Sequence, residues 1–263
     1  MKYSFMSFSC PELTLNEMLS MAKEFGYDGI EPRISSNHRH GVEFDANQIQ
    51  RKEIRQTAID TGIAIGCVAT SCRYADLKTN QDMVNDTMKA IDLTADIGSS
   101  RIRVFGGKIG DGLDRNAAVD LVAKSLLSIA DHASERGVTI CMETHDDWCN
   151  PTDVAAVMKK ANHPAIAVNW DIMHPVRRSY ATIEESFEVL KPWIQHLHIH
   201  DGSAQTSLLP IGEGDIDHKS AIERLSTISF DGYLSGEWIG WNDPYRNYLP
   251  RELQTLKRYQ DEL

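Results

Sequence analysis

Short apolar runs alternate with longer amphipathic stretches along the whole chain. Between residues 117 and 136, apolar side chains recur at the spacing of one helical face, at Val119, Val122, Leu126, Ala130 and Ala133. The short runs have the length and apolar character of buried strands. There are eight of them, at residues 3–9, 29–31, 63–70, 101–105, 138–143, 166–170, 196–200 and 233–238. The pattern therefore predicts eight strands that alternate with helices.

Several of these runs are entered through the same kind of junction, in which a helical pattern ends at a glycine and a strand follows within two or three residues. The segments are EFGYDGIE, DTGIAIG, DIGSSRIRV and ERGVTICME. A glycine just past a helix ends it in the left-handed conformation, and Gly137 is such a stop. Helical crossovers between successive strands imply parallel pairing.

Two α/β architectures fit this alternation. A doubly wound open sheet would normally carry a glycine-rich phosphate loop, and neither GxGxxG nor GxxxxGK[ST] occurs. The chain has no low-complexity segment or linker that marks a domain boundary. The sequence therefore predicts a single (β/α)8 TIM barrel of the α/β class, one domain over residues 1–263.

The composition and charge of the chain exclude some classes of binding partner. The 263 residues are 41% hydrophobic and carry a formal net charge of −11, without the basic stripe that a nucleic-acid-binding protein needs. The first residues are too short and polar for a signal peptide, and no apolar run approaches a membrane span. The five cysteines show no CxxC spacing, which is typical of reduced thiols. We expect a cytoplasmic protein that handles a small molecule and binds neither nucleic acid nor membrane.

Four consecutive strand runs end in residues that ligate metals. The segments VTICMETH, AVNWDIMH, IQHLHIHD and YLSGEW supply Glu143, Asp171, His198 and Glu237. The intervals between them are 28, 27 and 39 residues, close to the roughly thirty residues of one barrel repeat. Active sites of such barrels lie at the carboxyl ends of the strands, so the four side chains are expected to converge there.

Three converging carboxylates would repel one another without a cation. Three oxygen donors and one imidazole suit Mn²⁺, Mg²⁺ or Co²⁺, and less selectively Zn²⁺. The sequence therefore predicts one divalent metal ion.

Seven segments together resemble the xylose isomerase-like TIM-barrel superfamily. GYDGIEPR is similar to the family's second strand and IRVFGG to its fourth. ETH, D-x-x-H, HLHIHD and GEW are similar to strands five to eight, with PIGEGDID after strand seven. The superfamily includes ketose 3-epimerases, hydroxypyruvate isomerases, inosose and 3-dehydroshikimate dehydratases, and endonuclease IV-type nucleases. The resemblance covers essentially the whole chain.

The resemblance also implies roles for single residues. It makes Glu143, Asp171, His198 and Glu237 the metal ligands, and His174 a substrate-binding histidine. His200, which stands where many members have a lysine, is a further candidate for substrate binding. Substrate contacts are further expected from three residues after the second strand, Arg33, His38 and His40. They are also expected from Trp238, which with Trp148 and Phe105 is expected to wall the pocket. Because relatives are often dimers or tetramers, a homo-oligomer is expected.

The activity that the resemblance implies is an isomerase or epimerase of a sugar or related hydroxy-ketone in carbohydrate metabolism. It would act through a metal-bound enediolate, with Glu143 and Glu237 as acid and base. The alternative is a dehydratase or lyase that acts on a keto-cyclitol or keto-sugar at the same site. An endonuclease IV activity is disfavoured because Asp215-Ile-Asp217-His218 breaks the D-x-H pattern. Non-catalytic sugar binding would not need both glutamates.

Overall fold

The chain folds around a parallel sheet. The structure, a computed structural model, describes residues 1–228 and 230–263. Within these residues there are nine strands: β1 (Lys2–Met6), β2 (Gly29–Glu31), β3 (Ala64–Ile65), β4 (Val68–Arg73), β5 (Arg101–Phe105), β6 (Thr139–Glu143), β7 (Ile166–Asp171), β8 (Ile194–Ile199) and β9 (Tyr233–Gly236). They pair in the order β3-β2-β1-β9-β8-β7-β6-β5-β4, and every pair is parallel.

The barrel closes between β2 and β4. Just past β2, Arg33 bridges to Ala69 in parallel, and the Ile34 amide donates to the Ala69 carbonyl at 3.0 Å. The predicted run 63–70 is therefore one barrel strand that the structure divides into β3 and β4. Gly66 lies at the break, where a Cβ would come within 3.0 Å of the Tyr233 ring. The predicted (β/α)8 barrel is confirmed.

Helices cover the outer face of the sheet. Those in the described part of the chain are α1 (Leu15–Phe25), α2 (Gln48–Thr61), α3 (Asn80–Asp96), α4 (Arg115–Glu135), α5 (Pro151–Ala161), α6 (Met173–Arg177), α7 (Ile183–Leu190), α8 (His218–Thr227) and α9 (Tyr245–Asp261). The helix predicted over 117–136 is α4.

The glycines at the four helix–strand junctions all have positive φ, between 67° and 84°: Gly26, Gly62, Gly98 and Gly137. This is the left-handed conformation that the sequence predicts for them.

No helix that the structure describes is both long and apolar enough to span a lipid bilayer.

The interior of the barrel is polar at the carboxyl ends of its strands, which we call the barrel mouth. Along β8, His196 and His198 are both fully buried, at alternate positions that face inward. The register pairs Asn169 with His196 and Asp171 with His198, so these residues form successive layers along the barrel axis. The apolar core lies outside the sheet, between the strands and the helices.

Candidate active site at the barrel mouth

Four side chains from four adjacent strand positions meet at the mouth. Glu143 ends β6, Asp171 ends β7, His198 lies near the end of β8, and Glu237 follows β9. One ligand atom from each lies within 4.8 Å of the others. Three of these residues have no exposed surface, and Glu237 is 7% exposed. The residues that the repeat spacing selected are thus brought together, and we call them the four-residue cluster.

His198 is the centre of the four-residue cluster. Its Nδ1 lies 3.0 Å from Glu143 Oε1 and 3.4 Å from Glu237 Oε2. Burial acts to raise the pKa of Glu237, but the His198 imidazole lowers it to about 2. Burial acts to lower the pKa of His198, but the neighbouring carboxylates, first among them Glu143, raise it well above its ordinary value.

The four-residue cluster fits a divalent cation. Three carboxylates and one imidazole keep a net negative charge even when the imidazole is protonated. Donors about 2.1 Å from one ion are at most about 4.2 Å apart, so donor atoms already within 4.8 Å of one another need only small movements to close on it. The hard oxygen donors and the single nitrogen are those expected for Mn²⁺, Mg²⁺ or Co²⁺.

Asp171 is held in place by its neighbours. Its Oδ1 accepts hydrogen bonds from the amides of Met173 and His174, at 2.9 and 3.1 Å. Its Oδ2 lies 2.9 Å from His200 Nε2 and 3.7 Å from His174 Nε2. Although burial acts to raise the pKa of Asp171, the two histidines lower it well below its ordinary value. His174 and His200 therefore both lie at the four-residue cluster, next to Asp171.

A row of imidazoles runs along one side of the mouth. The ring centroids of His145 and His174 are 4.5 Å apart, and those of His174 and His200 are 5.7 Å apart. His145 Nδ1 lies 3.1 Å from Asp146 Oδ1. Burial acts to lower the pKa of His145, but the hydrogen bond with Asp146 and the Glu143 charge raise it to about 9. No role was predicted for His145 from the sequence; its place in the ETH segment, two residues after Glu143, was the available signal.

Arg103 is a buried cation that the sequence analysis missed. Its Nε lies 3.1 Å from Glu143 Oε2, its Nη1 donates to the Thr70 carbonyl at 2.9 Å, and the side chain is 1% exposed. Its guanidinium carbon lies 3.9 Å from the centroid of the Phe105 ring, which is a cation–π contact. The feature of the sequence that could have indicated it was an arginine in the middle of the predicted strand RIRVF.

The residues after β2 occupy different places. Arg33 is 9% exposed and its guanidinium donates to Ser71 Oγ and to the Ile34 carbonyl. Burial, together with the nearby Arg103, lowers the pKa of Arg33 to about 10. His38 is half-buried, with its Nδ1 2.8 Å from Ser7 Oγ.

His40 does not reach the site. It is buried, its Nε2 lies 3.2 Å from the Arg33 carbonyl, and its Nδ1 accepts from the Val42 amide at 3.0 Å. Both ring nitrogens are therefore used within its own loop, unlike the substrate contact expected from the sequence.

The tryptophans expected at the pocket wall pack elsewhere. Trp238 is 1% exposed, covers Gly236 and packs against Tyr248 of α9 with ring centroids 5.4 Å apart. Trp148 is fully buried and donates its indole N–H to the Gly107 carbonyl at 2.8 Å. Glu237 and Trp238 are consecutive, and consecutive residues of an extended chain face opposite sides, so only one of them reaches the barrel interior. Trp238 is a packing residue in this structure.

Asp201 organises the loop after β8. Its Oδ1 accepts from the amides of Gly202 and Ile216, at 2.8 and 3.2 Å, and its Oδ2 accepts from those of Gly212 and Gly214, at 2.8 and 3.1 Å. One buried carboxylate thus fixes both ends of a loop that borders the mouth.

The fold agrees with that of known proteins. Residues 19–259 match the xylose isomerase-like TIM barrel family. A 3-dehydroshikimate dehydratase from Bacillus anthracis is 22% identical over 97% of this chain and 96% of its own length. An L-ribulose-5-phosphate 3-epimerase from Shigella flexneri is 22% identical over 84% of this chain and 81% of its own.

A solved structure extends the comparison. A probable 3-DHS dehydratase from Bacillus anthracis superposes with a TM-score of 0.81 at 20% identity, over 98% of this chain and 99% of that one. With the family match over most of its length and this shared architecture, the chain belongs to the xylose isomerase-like TIM barrel family.

Proposed function

We propose that this protein is a divalent-metal-dependent isomerase or epimerase of a sugar or related hydroxy-ketone. One observation carries the proposal. Three carboxylates and one imidazole from adjacent strands lie within 4.8 Å of one another at the barrel mouth, almost wholly shielded from solvent. The epimerase among the relatives supports the proposed reaction class.

The cluster residues have separate tasks in this proposal. Glu143, Asp171, His198 and Glu237 hold the ion, which supplies a Lewis acid that makes the proton next to the substrate carbonyl more acidic. Glu143 and Glu237 come from β6 and β9, on either side of the β7 and β8 ligands, and serve as the proton acceptor and donor on the two faces of the substrate. Arg103, whose Nε lies 3.1 Å from Glu143 Oε2, places a buried positive charge beside that carboxylate.

The groups around the four-residue cluster bind the rest of the substrate. His174 and His200 lie next to Asp171 and present imidazoles toward the mouth. Arg33, 9% exposed, and the half-buried His38 lie on the β2 side and supply further donors for hydroxyl groups. Imidazole and guanidinium N–H groups suit a polyhydroxylated ligand because each hydroxyl accepts as well as donates.

A dehydratase acting on a keto-cyclitol or keto-sugar is the second candidate, and two observations favour it. The dehydratase relative aligns over 97% of this chain. His145 places a third imidazole beside His174 in the mouth. In that reaction a base removes the α-proton, the C–O bond to the β-hydroxyl breaks, and an acid delivers a proton to the departing oxygen, so that water leaves. His145 is the candidate acid.

The first experiment measures metal content in protein purified without chelator. We expect about one Mn, Mg, Co or Zn per chain, and none in Asp171→Ala. Protein loaded with the identified metal is then incubated with ketoses and keto-cyclitols in D₂O. A product that carries deuterium at the α-carbon and has the mass of the substrate apart from that deuterium supports the epimerase. A product lighter than the substrate by one water supports the dehydratase. Absence of metal under every loading condition would refute both.

A further inference from the structure

Glu31 lies below the four-residue cluster, on the opposite side of His198. It ends β2, has no exposed surface, and faces β8 across the barrel interior. Its Oε1 lies 3.1 Å from His198 Nε2, and its Oε2 lies 2.8 Å from His196 Nε2. Neither the repeat spacing nor the resemblance pointed to it. We infer that Glu31 is a positioning residue that makes Nδ1 of His198 the metal-binding nitrogen and sets the affinity of the cluster for its cation.

The hydrogen-bond chemistry of a carboxylate fixes the direction of this effect. An ionised carboxylate only accepts hydrogen bonds, so the Nε2 of His198 must carry the proton in its contact with Glu31. A neutral imidazole with Nε2 protonated has its lone pair on Nδ1. Nδ1 is the nitrogen that lies 3.0 Å from Glu143 and 3.4 Å from Glu237, inside the four-residue cluster. Glu31 therefore selects the tautomer that a cation in the cluster requires.

Glu31 is not a member of the four-residue cluster: its two oxygens meet the Nε2 atoms of His196 and His198, on the side of the His198 ring away from Nδ1. Its charge instead acts through the ring of His198. A carboxylate that accepts from one ring nitrogen increases the electron density at the other and holds the ring plane, and loss of such a partner commonly weakens metal binding 10–100-fold.

His196 completes the arrangement. It is fully buried, its Nε2 meets Glu31, and its Nδ1 has no hydrogen-bond partner among the described residues. His196 lies two residues before His198 on the same strand, so one strand supplies both imidazoles that hold Glu31 in place. His196 thereby fixes the orientation of Glu31 without supplying a donor atom to the four-residue cluster itself.

The inference rests on the proposed metal site, and its test does not depend on turnover. The dissociation constant of Mn²⁺ is measured by competition in the wild type and in Glu31→Gln, which keeps the shape and removes the charge. We expect the constant to rise 10–100-fold. Glu252→Gln is the matched control, because Glu252 is a buried carboxylate that pairs with Arg251 and the Ile211 amide, and it is expected to leave the constant within about twofold of wild type.

A second measurement reads the tautomer directly in the wild type, so the inference is tested even where Glu31→Gln fails to fold. In the Mg²⁺-loaded protein, imidazole ¹⁵N spectra should show His198 with a slowly exchanging Nε2–H and no proton on Nδ1. An unchanged Mn²⁺ constant in folded Glu31→Gln, or a Nδ1–H tautomer of His198, would overturn the role of Glu31. A wild-type protein that binds no metal at all would instead overturn the proposed function.

Discussion

The guanidinium Nε of Arg103 lies 3.1 Å from Oε2 of Glu143, and both side chains are almost completely shielded from solvent. A buried charge that loses its partner is strongly destabilising, whereas the intact pair is close to neutral in its net effect. The pair therefore links the stability of the metal-free barrel to the residue proposed as both ligand and acid–base group.

Replacement of Arg103 tests this link. Arg103→Met keeps much of the side-chain volume and removes the guanidinium beside Glu143 Oε2, so the free energy of unfolding of the chelator-treated protein should fall by about 3–5 kcal/mol. Denaturant titration measures the change. Arg101→Met, two residues earlier on the same strand and only half-buried, is the matched control and should cost much less. Equal losses in the two variants would show that the Glu143 contact is not the cause.

The proposed proton transfer is tested by Glu143→Gln and Glu237→Gln. Each change keeps the shape of the side chain and removes a basic oxygen, so turnover should fall about 10²–10⁴-fold, the range for loss of a general acid–base group. Deuterium exchange at the substrate's α-carbon measures it, with Glu252→Gln as a buried carboxylate outside the mouth that should remain active. Near-wild-type exchange in either variant would refute the role assigned to that glutamate.

Asp201→Asn is expected to loosen the loop after β8. In the wild type, four backbone N–H groups donate hydrogen bonds to the Asp201 carboxylate. An asparagine keeps one acceptor oxygen, but its N–H₂ group faces two of these N–H groups and cannot accept from them. We expect faster proteolysis between residues 202 and 217, and a loss of about 2 kcal/mol or more in the free energy of unfolding.

The KM of this variant should rise while its metal affinity stays constant, since the proposed ligands lie on the strands or, for Glu237, directly after one. Limited proteolysis and metal titration separate the two effects. Asp215→Asn is the control, because Asp215 accepts only one hydrogen bond from a backbone amide among the described residues, that of Ala204, in an exposed part of the same loop. If the loop after β8 were cleaved no faster in Asp201→Asn than in the wild type, Asp201 would not be the residue that holds this loop in place.

A pH-dependent contribution to stability is expected from Asp96. Its carboxylate meets Arg51 at 2.9 Å and Arg136 at 2.6 Å, and thereby connects α2, α3 and the end of α4. Burial acts to raise the pKa of Asp96, but these two arginines lower it below its ordinary value. A carboxyl with a lower pKa in the folded state stabilises the fold above its unfolded pKa of about 3.9, and this stabilisation is lost as pH falls through the folded pKa.

Asp96→Asn should therefore lower Tm at pH 7, and the difference from wild type should shrink as the pH falls below about 4. Thermal unfolding across this pH range measures it. Asp111→Asn is the control, because the Asp111 side chain is 95% exposed and such surface pairs contribute little. A Tm difference that persists unchanged in acid would rule out the ion pairs as its source.

Hydrophobic periodicity was sufficient to predict the barrel, since strand and helix patterns and helix-ending glycines are local properties of the chain. The spacing of one repeat was sufficient to select Glu143, Asp171, His198 and Glu237, because equivalent positions of adjacent strands meet at the mouth. Their convergence within 4.8 Å agrees with that prediction. Their roles as ligands and acid–base groups remain to be tested.

The supporting residues were not predictable in the same way. Glu31 contacts residues 165 and 167 positions away, and Arg103 contacts Glu143 across β5 and β6. Such partners depend on the stagger of the closed barrel rather than on any local pattern. Trp238 is different, because its outward direction follows from alternation once Glu237 is taken to face inward. The sequence contained that information.

The residues of the four-residue cluster lie at the strand ends, whereas the loop after β8, which Asp201 holds, borders the mouth. This separation has a consequence for how the substrate specificity of this protein can evolve. The proposed cation ligands are placed by the strand register, whereas the residues between 203 and 211 belong to a loop whose two ends are secured by one carboxylate. Substitutions inside that loop can reshape what the mouth accepts without displacing the reacting centre. A lineage could therefore acquire a new substrate through loop changes alone, while Asp201 and the four-residue cluster stay constant.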